Sequence, residues 1–115
     1  MASLNKVQII GNLGKAPEVR QVGDSAVATF TVATTDHWTD KSGAKQEKTE
    51  WHRVEAWGRL ADIMGQYTKQ GSSVYVEGSL ATDKYVDKDG VERYSTKIKA
   101  STIQLLDRRP DDKQQ

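Results

Sequence analysis

Thr49-Glu50-Trp51-His52-Arg53-Val54-Glu55-Ala56-Trp57-Gly58-Arg59-Leu60 changes its period at Gly58. Up to Trp57 it alternates as an extended strand, with successive side chains on opposite faces. Trp51, Arg53, Glu55 and Trp57 share one face, and His52, Val54 and Ala56 share the other. Beyond Gly58, Leu60, Ile63, Met64 and Tyr67 recur at i, i+3, i+4 and i+7, the spacing of one helical face. A strand therefore hands over directly to a short helix, for which Gly71 offers a C-terminal stop. The face carrying both tryptophans is not a core face, because a core would set the rings beside Val54 and not beside a guanidinium. Flat rings interleaved with Arg53 suit a surface that stacks bases and neutralises phosphates, which points to a single-stranded nucleic acid.

Working outward, Lys6 to Leu13 is rich in β-branched residues and runs into Gly14 and Pro17, a strand followed by a turn. Gly11 within it predicts a bulge or a tight bend of the kind barrel corners use. Ala26 to Thr34 alternates, with Ala28, Phe30 and Val32 on the apolar face. Asp36 to Lys48 is polar, contains Gly43, and reads as a long hairpin loop with Trp38 at its base. After the helix, Ser73 to Tyr85 is a strand. Asp87-Lys88-Asp89-Gly90 is its hairpin turn, with Gly90 supplying positive φ. Arg93 to Leu106 is the last strand. The fold class is thus all-β with one short helix. A lone helix between the third and fourth of five strands is the order of the OB-fold, a five-stranded Greek-key barrel that removes sheet edges by closure. The sequence shows no internal repeat and no low-complexity segment.

With 115 residues, 36% hydrophobic and 29% charged, the chain supports one core and one domain. Residues 1–106 are expected to form it, with 107–115 a short, polar, flexible end. No apolar run approaches the ~20 residues of a membrane span, and the N-terminal residues lack an export or import signal. The chain has no cysteine, which excludes disulfides and thiolate metal sites and fits a reducing cytoplasm. The formal net charge is only +1, so any attraction for phosphate must come from local placement of cations.

Other chemistries find little support. His37 and His52 are the only histidines and no thiolate joins them, so no metal ligand set forms. With Gly90 as the sixth position of a calcium loop, Tyr85 and Thr96 fall where carboxylates are needed. Gly11-Asn12-Leu13-Gly14 lacks the lysine of a phosphate loop and precedes no helix. No Ser-His-Asp or paired-acid set stands out. No cofactor and no enzymatic activity are expected.

Several motifs together resemble the bacterial-type single-stranded DNA-binding proteins of the OB-fold family. They are Asn5-Lys6-Val7 with Ile10-Gly11-Asn12-Leu13-Gly14, Pro17-Glu18-Val19-Arg20, Thr49 to Val54, Val74-Tyr75-Val76-Glu77-Gly78, and Tyr94-Ser95-Thr96, spanning residues 3–106 in order. The resemblance implies a non-catalytic protein, a homotetramer in the cytoplasm at the nucleoid, that coats single-stranded DNA in replication, recombination and repair. It implies that Trp38, Trp51 and Trp57 stack on bases, with Tyr85 where the family has a fourth tryptophan, and that His52 lies at a subunit interface. Phosphate contacts are expected from Arg53, Arg59, Lys41, Lys69 and Lys84, with Lys6 and Arg20 more remote. The chain departs from the family at Ala81 and Asp83, where basic residues are typical, and at Gln70, where lysine is common. Glu55 adds an acid to the binding face. These changes predict weaker affinity and a shallower salt dependence.

Two other readings remain open. A primosomal accessory protein on the same fold would dock replication factors and lose strand-coating stoichiometry. A metal-dependent nuclease would need converging acids or histidines. Residues 107–115 are charge-balanced and carry no aromatic or aliphatic anchor, so tail-mediated docking of replication enzymes is not expected.

Overall fold

The structure, a computed structural model, describes residues 2–107. The chain order is β1 (Val7–Leu13), β2 (Glu18–Val22), β3 (Ser25–Thr39), β4 (Lys45–Trp57), α1 (Arg59–Tyr67), β5 (Ser73–Val86) and β6 (Glu92–Leu105). The strands lie in the order β1-β5-β6-β4-β3-β2, and β1 also pairs with β3 through Asn12↔Ala33 and Leu13↔Val32. That second pairing closes β1, β5, β6, β4 and β3 into a barrel. All neighbours are antiparallel except β4 and β6, which meet in parallel at Val54↔Ile98 and Glu55↔Lys99. This is the expected five-stranded OB-fold barrel with its one helix.

The core follows the alternation. Ala28, Phe30 and Val32 of β3, Val54 and Ala56 of β4, Val74 and Val76 of β5 and Ile98 of β6 point inward, joined by Leu13. The helix closes one side with Ala61 and Met64, both fully buried. Sequestering a side chain such as Met64 contributes ~1.5–3 kcal/mol. Barrel closure requires glycine at two crossings. A Cβ on Gly11 would collide with the Ala33 carbonyl where β1 crosses β3, and one on Gly78 would collide with the Lys99 carbonyl. Gly11 is thus a site of close backbone approach, while the shift in strand register lies between Glu77 and Gly78 of β5.

Three expectations need correction. Glu18–Val22 is a sixth strand, paired antiparallel with β3 outside the closed barrel. Its five residues are all exposed, so no apolar alternation betrays it; a turn at Gly23, with φ of 62°, folds it back onto β3. The polar span Asp36 to Lys48 is not a loop but a two-stranded arm, in register from Asp36↔Lys48 to Thr39↔Lys45. Backbone pairing holds it without an apolar face. The helix ends earlier than Gly71 suggested. Thr68 is its last-turn boundary, its hydroxyl donating to the Met64 carbonyl, and Tyr67 is exposed instead of packed. The Asp87–Gly90 turn forms as expected, with Gly90 at φ 78°.

Candidate nucleic-acid interface

The outer face of β4 presents Trp51, Arg53 and Trp57 in alternate positions, while His52, Val54 and Ala56 turn inward. Trp51 is 59% exposed and Trp57 41%, far more than core tryptophans would be. Trp51 lies over Gly14, where a Cβ would come within 2.6 Å of Trp51 Cζ3. The absent side chain is what leaves room for the ring. Arg53 reaches across the parallel seam and donates from Nη1 to Ser95 Oγ at 2.9 Å. Its guanidinium is therefore oriented, with donors left over for an anion.

Glu55, the acid on this face, has a structural use. Its Oε1 accepts the indole N–H of Trp57 at 2.7 Å and its Oε2 accepts from Lys97 Nζ at 2.9 Å. Lys97 also reaches Asp83 Oδ2 at 2.8 Å. Burial pushes the Glu55 carboxyl up, but the bonds from Lys97 and Trp57 outweigh it and hold the group below its ordinary range. Asp83 is lowered by Lys97, and Lys97 is raised by Asp83 and then by Glu55. The Lys97 ammonium is thus shared by two carboxylates, on both of which Lys99 also acts. Lys97 was not among the expected contacts, although its alternation with buried Ile98 places it on the outer face beside Glu55.

The other candidates are spread around the barrel. Trp38, 47% exposed, stands on the β3–β4 arm opposite Gln46, and Lys41 is at that arm's tip. Tyr85, 50% exposed, stands on the β5–β6 arm opposite Arg93. Lys84 on the same arm is paired with Glu92 at 2.9 Å. Arg59 opens α1, directly after the Trp57-Gly58 step. Lys69 lies in the turn after α1, where its N–H donates to Ser72 Oγ. Lys6 is paired loosely with Glu77 at 3.8 Å, and Arg20 is exposed on β2. His52 is half-buried and shares a 2.8 Å hydrogen bond between Nε2 and the Thr34 hydroxyl. Asp107 accepts from the Ser73 N–H at 2.9 Å, which ties the end of the last strand to β5. Residues 108–115 of the predicted flexible end lie outside the described residues.

An OB barrel with rings and an oriented arginine raised on one strand face defines the class of oligonucleotide-binding folds. Within that class, residues 4–106 match the Single-strand binding protein family, and the chain belongs to it. The chain is similar to single-stranded DNA-binding protein 1 of Xylella fastidiosa, 51% identical over 113 residues, covering 96% of this chain and 83% of that protein. Its fold is similar to a Plasmodium falciparum SSB solved in complex with ssDNA, with a TM-score of 0.86 and 33% identity over 93% of this chain and 98% of that one. A deletion mutant of the Thermus aquaticus single-stranded DNA binding protein superposes with a TM-score of 0.78 at 33% identity, covering 92% of this chain and 52% of that one.

Proposed function

We propose that this protein binds single-stranded DNA without regard to sequence, coating and protecting it in replication, recombination and repair. Bases stack on Trp51 and Trp57, and on Trp38 and Tyr85 of the two arms. Phosphates meet Arg53 first, then Arg59 and Lys41. The observation that carries this reading is the pair of exposed tryptophans flanking an oriented arginine on β4. Stacking tolerates every base because every base has a π-face, so such a surface coats a strand and does not read it. Lys84 plays a smaller part because Glu92 holds it, and Lys69 contributes from the turn after the helix. No catalytic step is assigned to any residue.

The assembly we propose is a homotetramer, in which linked sites gain from effective concentration on one long strand. Ile10 supports it: at 63% exposed on the outward face of β1, it is an apolar side chain that a second copy would cover. His52, half-buried and bonded to Thr34, is the residue we assign to that interface. Competition binding tests the function. Labelled single strand should be displaced by unlabelled single strand of any sequence and far less by duplex; displacement by duplex at equal concentration would overturn the reading.

A further inference from the structure

Glu55 stands where an acid is least expected. It lies between Arg53 and Trp57 on the strand face given above to phosphates and bases, and it is only 9% exposed. A carboxylate there gives up much of its hydration and repels the ligand, so it persists only against a compensating contact. Its two oxygens have separate partners. Oε2 accepts from Lys97 Nζ at 2.9 Å, which pairs the charge. Oε1 accepts from the Trp57 indole N–H at 2.7 Å, which the charge alone does not require.

The two tryptophans of β4 are thus held by different means. Trp51 rests over Gly14, where close packing places its ring. Among the described residues, Trp57 is the one tryptophan whose indole N–H has a partner. Residues two apart on a strand share a face, so Glu55 reaches the ring across a single pleat. The bond lies in the plane of the indole, at its N–H edge, and does not occupy the π-face that a base needs. A partly exposed indole without such a tie turns about two side-chain bonds, and freezing that motion on binding costs affinity. A ring fixed beforehand is spared that cost.

We propose that Glu55 is a positioning residue for strand binding: its carboxylate, clamped by Lys97, fixes the Trp57 indole in the pose on which a base stacks. This rests on the single-stranded DNA reading above. The useful part of Glu55 is then its acceptor atom and not its charge, which works against phosphate. Lys97 is also held by Asp83 at 2.8 Å, so a neutral side chain at position 55 does not leave that ammonium unpaired. Acceptor and charge can therefore be separated by substitution.

The test compares Glu55→Gln with Glu55→Leu, both neutral, of which only the first keeps an acceptor for the indole. Glu55→Leu should bind oligothymidylate about two- to tenfold more weakly than Glu55→Gln, the effect of immobilising one side chain on binding. The gap should close when both are combined with Trp57→Phe, whose ring stacks but has no N–H; a merely structural role would leave the gap in place. Indole N–H resonances give a second reading, with the Trp57 signal identified by its loss in Trp57→Phe. A carboxylate-bonded indole resonates downfield of a hydrated one. The wild-type signal should lie downfield, stay there when oligothymidylate saturates the protein, and move upfield in Glu55→Leu. Equal affinities of the Gln and Leu variants, a gap that persists beside Trp57→Phe, or a wild-type signal that moves to the hydrated position on binding would each overturn the positioning role and leave the function standing. The wild-type signal decides the matter even where Glu55→Leu does not fold. Wild-type protein that fails to bind the oligonucleotide would overturn both.

Discussion

Removing the charge of Asp83 should tighten DNA binding, because its exposed carboxylate repels phosphate and, with Glu55, occupies the Lys97 ammonium. Lys97 bridges Glu55 at 2.9 Å and Asp83 at 2.8 Å. Glu55 cannot be dispensed with, since it also holds the Trp57 indole at 2.7 Å. Asp83 has no other hydrogen-bond partner among the described residues and is largely exposed, so its loss should leave the fold unaffected. If a phosphate passes about 7 Å from its carboxylate, the repulsion in water is roughly one RT, about a threefold effect on affinity at low ionic strength. Asp83→Asn should therefore bind oligothymidylate about threefold more tightly. Asp83→Arg reverses the charge, should gain about sevenfold, and should steepen the salt slope by about 0.7 if it captures one phosphate. Fluorescence titrations at a series of salt concentrations measure both quantities. Unchanged affinity and unchanged slope in both variants would place Asp83 off the path of the strand and refute the reasoning.

Three further outcomes are expected. Trp51→Ala and Trp57→Ala should each weaken single-strand binding by about 1–3 kcal/mol, read by titration, with thermal unfolding little changed for exposed Trp51 and lowered for Trp57, whose indole donates to Glu55. Glu55 in the folded protein holds its proton less tightly than its ordinary value of 4.5, so its contribution to stability is complete above that value and is lost as pH falls through the lower folded one. Glu55→Gln should flatten the acid limb of stability against pH, and superimposable acid limbs would count against the Lys97 and Trp57 bonds. A charged replacement such as His52→Glu should dissociate the proposed tetramer in sedimentation velocity, since an interface packed to core density tolerates little intrusion; an unchanged mass would place His52 outside any interface.

Much of this architecture is legible in the sequence wherever burial imposes a period. Phe30, Val32, Val54, Val76 and Ile98 face the core because each occupies the inward phase of a two-residue alternation. The same logic exposes Trp51 and Trp57. Legibility fails where backbone pairing acts without burial. The arm from Asp36 to Lys48 and the edge strand Glu18–Val22 carry no apolar stripe, so nothing in their composition separates a paired ribbon from a loop. Tyr67 fits the helical spacing yet stays exposed, the nine-residue helix sealing the barrel through Ala61, Met64 and the partly buried Leu60. The Glu55–Lys97–Asp83 chain joins three strands, and only their register brings it together.

The claim on which the rest depends is that bases stack on the exposed tryptophans. Titrating intrinsic tryptophan fluorescence with oligothymidylate, and in parallel with a duplex of the same length, tests it most directly. Stacking predicts deep quenching by the single strand that saturates at a fixed ratio of nucleotides to protein, with little quenching by the duplex, whose bases are already paired and stacked. Equal quenching by both, or binding of the single strand with no quenching, would contradict the account.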